Sequence, residues 1–267
     1  DKLQFPISKM ILEGPEDKLK LTENTQPAIL TVSYSIFKVM KEEFQLETNK
    51  IKFFAGHSLG EYSALVCAES LTFLDALYLL HERGKSMQGA VPIGQGGMIA
   101  VMGTTINELT SLIKNENITN GVCEVANDNS EGQVILSGNK KSIEKFKKIL
   151  KSKKIKSIPL KVSAPFHCSL MKPAAKNMEE KINKTNFKKP SHDIVVNVSA
   201  LPEKDPVQIK KNLVEQIYST VKWRETINFI SEAGVVNFIE VGPGRVLTGM
   251  VKRTKKNANC FSINSIA

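Results

Sequence analysis

Arginine is scarce in this chain. Only four stand among 267 residues (Arg83, Arg224, Arg245, Arg253), although the formal net charge is +10. The positive charge is therefore carried by lysine, a hydrated point charge, and not by the planar fork that grips phosphates and guanine edges in pairs. None of the common nucleic-acid motifs is in view, so nucleic acid is not an expected partner; an acidic protein or a polyanionic small molecule suits the charge better. Long apolar runs are also lacking. Nothing approaches the roughly 18 residues of a membrane span, so no membrane partner is expected. The four cysteines (Cys67, Cys123, Cys168, Cys260) lie far apart with no C-x-x-C pair, which argues against a disulfide framework or a zinc site and for a reducing compartment. The chain opens Asp1-Lys2-Leu3-Gln4-Phe5-Pro6, with no Met, signal peptide or transit peptide, so a missing true N-terminus is an open expectation. What is present is ordinary for a globular protein: 41% hydrophobic and 24% charged residues, enough to bury a core and to exclude wholesale disorder.

Apolar residues at helical spacing run through 26–44, with Pro27 placed for a first turn. Residues 51–55 form a short apolar run ending at Gly56 and read as a buried strand, followed by helices over 61–69 and 71–87. Between 97 and 160 the order becomes strand, helix, strand, strand, helix, strand, the ferredoxin-like split motif. Its second strand is read at 121–126, with a turn at Asn129-Ser130-Glu131-Gly132. The expected organisation is a core of residues 1–96 and 162–267 with a small subdomain, 97–161, inserted through a hinge at 94–97. Strands at 162–166, 194–198, 235–241 and 258–263 alternate with helices at 174–184, 206–218 and 223–233. That alternation predicts an α/β class with a parallel, doubly wound sheet. No internal repeat or low-complexity tract interrupts it.

The sharpest local signal is Gly56-His57-Ser58-Leu59-Gly60, a G-x-S-x-G between an apolar strand and a helical pattern. That context is what a nucleophile elbow requires: a tight turn with small flanking residues, and a helix N-terminus offered to a developing anion. An N-cap serine in a glycine-rich loop is the plainer alternative. A serine nucleophile needs a base, and the chain offers four histidines. His57 lies in the elbow and is expected to point away from the serine. His81 falls within a helix, and His192 lies in a polar loop. His167, after Ala164-Pro165-Phe166 at the end of an expected strand, is the best candidate, since α/β folds place working groups there. An ordinary α/β-hydrolase would place an acid between serine and a near-terminal histidine; here about a hundred residues follow His167, which argues against a simple esterase. Arg83, alone in the first 223 residues, could grip a carboxylate through two parallel hydrogen bonds or could be a solvated helix residue.

These motifs together resemble malonyl-CoA:acyl carrier protein transacylases. The resemblance is carried by Gly56-His57-Ser58-Leu59-Gly60-Glu61-Tyr62-Ser63-Ala64, Arg83-Gly84, Met87-Gln88, Ala90-Val91-Pro92, Pro165-Phe166-His167-Cys168, Leu170-Met171-Lys172-Pro173-Ala174 and Glu240-Val241-Gly242-Pro243-Gly244. It extends from about Gly14 to Lys252 with the motifs in order. It implies an α/β-hydrolase-like core with an inserted ferredoxin-like subdomain. It implies Ser58 as nucleophile, His167 as base, Arg83 as the malonyl-carboxylate clamp, and the main-chain carbonyl of Gln216 orienting the histidine. It further implies the N–H of Leu59 as an oxyanion donor, Phe166 as the residue limiting room at the acyl α-carbon, and Asn127 and Asn129 in a loop near the substrate; for the two asparagines, simple turn chemistry is an equal alternative. The family's opening strand and G-Q-G-S-Q loop, whose Gln gives a second oxyanion donor, do not precede Ser58 here. A truncated sequence or a weakened enzyme is therefore expected.

The implied function is ping-pong transfer of malonyl from malonyl-CoA to the phosphopantetheine thiol of acyl carrier protein, for fatty acid synthesis, with no metal or other cofactor. Lysines would suit the CoA phosphates and an acidic carrier. A monomer is expected, in the cytoplasm or, in a eukaryote, an organellar stroma or matrix. A serine hydrolase or thioesterase on the same core, and an inactive carrier-docking module, remain the alternatives.

Overall fold

A computed structural model describes residues 3, 5–116 and 121–265. Asp1, Lys2 and Gln4 of the chain's opening, residues 117–120 of the 97–161 span and residues 266–267 of the core span lie outside the described residues. The elements in order are α1 (Ile7–Glu13), α2 (Glu16–Leu19), α3 (Thr22–Glu42), β1 (Phe53–Ala55), α4 (Gly60–Cys67), α5 (Phe73–Gly89), β2 (Gly96–Met102), α6 (Ile106–Asn115), β3 (Cys123–Ser130), β4 (Gln133–Asn139), α7 (Lys140–Ser152) and β5 (Lys156–Pro159). There follow α8 (Lys172–Lys184), β6 (Asp193–Val195), β7 (Pro202–Glu203), α9 (Pro206–Gln216), α10 (Trp223–Glu232), β8 (Asn237–Val241), α11 (Val246–Thr254) and β9 (Asn259–Ile263). Among the described residues no helix is long and apolar enough to cross a membrane.

The molecule is mixed α/β. Parallel pairing joins β1 to β6 and β8 to β9, in two separate sheets, with β7 added antiparallel to β6. The expected doubly wound sheet is thus present as two short parallel pieces. Between β2 and β5 the chain forms a four-stranded antiparallel sheet in the order β3-β4-β2-β5. One of its faces, with Ile99, Val101, Val134 and Leu136, is covered by Leu109 of α6 and by Ile143, Phe146 and Leu150 of α7. The other, with Met98, Ala100, Ala126 and Ile135, packs against Phe166. Leu30, Tyr62, Leu65, Leu79, Leu80, Met171, Met178, Ile194 and Leu213 form the largest core, where α3, α4, α5, α8 and α9 meet β6.

Three local readings differ from the expectations. Helix α3 starts at Thr22, so Pro27 lies inside it and not in its first turn. Proline has no N–H, which leaves the Glu23 carbonyl without its intrahelical donor. His81 supplies one: its Nδ1–H donates to that oxygen at 2.9 Å. Second, residues 162–166 form no strand; they run irregularly, and Pro165 packs so tightly on Gly96 that a Cβ there would lie 2.3 Å from the proline ring. Third, Asn127 and Asn129 belong to β3 and not to a turn. That strand continues to Ser130 through two register shifts, and Gly132 (φ +68°) makes the tight reversal.

Candidate active site

Ser58 sits between β1 and α4 at φ +53°, in the left-handed region that a non-glycine residue occupies only under local constraint. Two neighbours provide that constraint. Gly56 must be glycine, because a Cβ would lie 1.9 Å from the Gly60 carbonyl oxygen; at Gly60 itself a Cβ would meet nothing. Asn197, two residues past β6, bridges the turn: its Oδ1 accepts from the Ser58 N–H at 2.7 Å, and its Nδ2 donates to the Gly56 carbonyl at 2.8 Å. Leu59 is the N-cap of α4, and its N–H points from the positive end of that helix with no partner among the described residues.

The Ser58 hydroxyl lies 2.8 Å from His167 Nε2. On the far side of the ring, Nδ1 lies 2.8 Å from the Gln216 carbonyl oxygen. A carbonyl can only accept, so Nδ1 carries the proton and Nε2 is left as the acceptor for the serine hydroxyl. Burial, and then the nearby Arg83 charge, push the His167 pKa down to about 3, so the ring is neutral at ordinary pH. His167 itself holds φ +55°.

Arg83 is 1% exposed. Helices α3 and α5 touch beside it: a Cβ on Gly84 would lie 2.4 Å from Glu23 Cα, and this approach sets Arg83 against Gln26. Its Nη1 donates to Gln26 Oε1 at 2.7 Å. Its Nη2 donates to Gln216 Oε1 at 2.8 Å and faces Ser58 Oγ at 3.2 Å. Gln216 is the hub. Its backbone carbonyl orients the histidine, its side-chain oxygen holds the arginine, and its Nε2 donates to the Ser58 carbonyl at 3.0 Å and to Glu61 Oε2 at 2.8 Å. Glu61 also accepts the Asn197 N–H at 2.9 Å, and burial raises its carboxyl to about 7.

A neutral imidazole hydrogen-bonded to an elbow serine, a backbone N–H at a helix start and a buried cation beside the serine oxygen can form and discharge an acyl-serine. The acyl transferase domain family model matches residues 1–267. A malonyl CoA-acyl carrier protein transacylase of Bacillus subtilis is 39% identical over 265 residues, covering 99% of this chain and 82% of that protein. The chain belongs to the malonyl-CoA:acyl carrier protein transacylase family. Among solved structures, the acyl-carrier-protein S-malonyltransferase of Bartonella henselae matches with a TM-score of 0.95 at 41% identity, over 100% of this chain and 85% of that one. The matched chain of a type II PKS acyl-carrier protein in complex with its malonyl-transacylase gives 0.94 at 38%, over 99% and 85%.

Of the residues expected from this family, Ser58, Leu59, His167, Arg83 and Gln216 converge on one point. Phe166 is half-buried beside the histidine and touches both the main core and the open face of the four-stranded sheet. Asn129 reaches the elbow through its neighbour: His57, turned away from Ser58, lies with Nε2 2.8 Å from Asn129 Oδ1 and its ring edge-on to Trp223. The Asn127 side chain, although buried, makes no hydrogen bond among the described residues; its backbone bridges to Val221. Gln26, Glu61 and Asn197 were not expected. A buried amide in a helix or just after a short strand leaves no periodicity to read; the one hint was a polar Asn197 within the apolar run 194–198.

Proposed function

We propose that this chain transfers a malonyl group from malonyl-CoA to the phosphopantetheine thiol of an acyl carrier protein through a malonyl-Ser58 intermediate. The observation that carries the reading is a buried guanidinium with Nη2 3.2 Å from the nucleophile oxygen, where an acyl group ending in a carboxylate would put its charge. Ser58 Oγ attacks the thioester carbonyl as His167 Nε2 takes its proton, and the Gln216 carbonyl holds the imidazolium by Nδ1–H. A neutral carbonyl fixes the tautomer as a carboxylate would, but stabilises the cation less. The tetrahedral oxyanion lies at the Leu59 N–H and the start of α4. The C–S bond then breaks, and the CoA thiolate recovers the proton from His167. In the second half-reaction the carrier thiol gives His167 its proton, attacks the malonyl ester, and Ser58 leaves with that proton restored.

A bound malonyl carboxylate would cancel part of the Arg83 field that depresses His167, so the substrate's own charge raises the basicity of its base. Residues 97–161 act, in this reading, as an inserted unit that walls one side of the site through Asn129 and through the sheet face on which Phe166 packs. The lysine-rich surface suits an acidic carrier. Labelling with malonyl-CoA tests the whole. Wild type should retain label on Ser58 in buffer and release it on addition of carrier protein, and Ser58→Ala should take none. Prompt loss of label to water would make the chain a hydrolase, and label on Ser58→Ala would remove the serine from the mechanism.

A further inference from the structure

Arg83 is among the largest fully buried side chains, yet no carboxylate lies within ion-pair distance of it among the described residues. Its two fixed acceptors are both carboxamides, Gln26 Oε1 at 2.7 Å and Gln216 Oε1 at 2.8 Å. The acid closest in the network, Glu61, is kept one residue away: Gln216 stands between them, donating to Glu61 through Nε2 while accepting from Arg83 through Oε1. Gln26 is held in turn, its Nε2 donating to Thr22 Oγ1 at 3.0 Å. This bond fixes the amide so that its oxygen faces the guanidinium.

That choice of partner is chemically specific. A guanidinium fork matches a carboxylate in two parallel bonds, and a buried cation is normally paired with an anion because leaving it uncompensated is costly. Here both positions that could carry an anion carry its neutral isostere. Burial accordingly lowers the Arg83 pKa, and the weaker pulls of Tyr62 and Glu61 do not restore it. The guanidinium stays charged, oriented and unneutralised, with Nε unpaired and one edge open toward Ser58.

We propose that Gln26 is a specificity-determining residue: its neutral carboxamide orients Arg83 without discharging it, and so reserves the charge for an acyl group that carries its own carboxylate. The inference rests on the malonyl reading of the site. A glutamate at the same position would supply the missing anion from within and close the site to the substrate's. An apolar residue of similar size would loosen the arginine while leaving its charge unspent.

The test is the ratio of specificity constants for Ser58 acylation by malonyl-CoA and acetyl-CoA, read by intact-protein mass spectrometry. Gln26→Glu should lower that ratio by about 10- to 150-fold, almost wholly through the malonyl rate, with acetyl acylation unchanged or faster. Gln26→Leu should slow both and keep the ratio within about threefold of wild type. A purely structural role would slow both acyl groups alike in both variants. Should Gln26→Glu not fold, Gln216→Glu carries the same charge to the other carboxamide position and is expected to shift the ratio the same way. Arg83→Ala is measured alongside. If it collapses the ratio while the glutamate variant leaves it intact, Gln26 has no part in selection and this inference is wrong. If the ratio survives Arg83→Ala as well, the malonyl reading of the site fails with it.

Discussion

Two sets of contacts, one around the Ser58 turn and one along β3, are built from different materials. Toward α5 and α9 the partners are buried and mostly neutral: Asn197, Gln216 and Gln26 connect the elbow, His167 and Arg83, with one acid, Glu61, set behind Gln216. Toward the four-stranded sheet the contacts run along β3 and are openly ionic. Glu124 takes both the N–H and the hydroxyl of Ser169, and Arg224 grips Asp128 with Nε and Nη2 at 2.9 Å from Oδ2. Arg253 reaches Ser130, and Val221 pairs its backbone with Ala126 and Asp128. Charge that only joins two surfaces can be spent in pairs. Charge that must meet a substrate has to be left over, and neutral amides are the groups that orient an ion without consuming it.

The contrast is broken most severely by removing the proposed base. His167→Ala should lower acylation by a factor of about 10² to 10⁴, the worth of a positioned general base, with the fold retained. A rate within threefold of wild type would send the role to another group. Asn197→Ala comes next. It strands the Ser58 N–H and the Gly56 carbonyl inside the protein, at a cost of about 1–3 kcal/mol for each buried group left unpaired. A turn held at φ +53° would then relax, and misplacement of the nucleophile should cost roughly 10- to 100-fold in turnover. Stopped-flow acylation and denaturant melts on the same protein check both halves.

Arg224→Ala tests the ionic side, and the expected pattern reverses. Asp128 is 1% exposed in its side chain, burial already raises its pKa, and Arg224 is the partner that holds its charged form, so losing that partner should lower stability by about 3 kcal/mol. No reacting atom touches the pair, and turnover should change by less than about tenfold. A large loss of turnover with little loss of stability would mean that the β3 contacts act on the chemistry itself.

The two regions were not equally legible in the sequence. Ser58 announced itself through flanking glycines and a strand-to-helix context, Arg83 through its isolation among lysines, and the helix expected over 26–44 through apolar spacing. The irregular path of 162–166 was hidden because its order comes from Pro165 packing on Gly96, not from a ladder that alternation would reveal. The edge of β3 was hidden because register shifts between Val125 and Asn127 and between Asp128 and Ser130 carry the strand through Asn127-Asp128-Asn129-Ser130, which has the composition of a turn. The amide network was the least readable of all. Asn and Gln are chosen there for what they lack, a charge, and a lack of charge at one position leaves no pattern.

Glu61 is where the comparison can be sharpened by pH alone. Its pKa rises from 4.5 unfolded to about 7 folded, because burial disfavours the carboxylate more than Asn197 and Gln216 favour it. A raised carboxyl pKa stabilises the fold below the unfolded value and withdraws that stability as pH climbs from 4.5 to 7. His167 runs the other way: depressed from 6.5 to about 3, it contributes stability that is present above 6.5 and lost as pH falls toward 3. Between 4.5 and 6.5 the two slopes oppose each other, and the unfolding free energy of wild type should be nearly flat there. Glu61→Gln removes one of the two. It should be stabilised relative to wild type by up to about 3 kcal/mol at pH 8 and by nothing at pH 4, leaving the rise from pH 3 to 6.5 exposed. Denaturant unfolding at pH 4, 5.5 and 8 reads this directly. A variant destabilised equally at all three would mean that Glu61 is a working anion paired at a distance with Arg83, and that the guanidinium is less unspent than its two carboxamide partners imply.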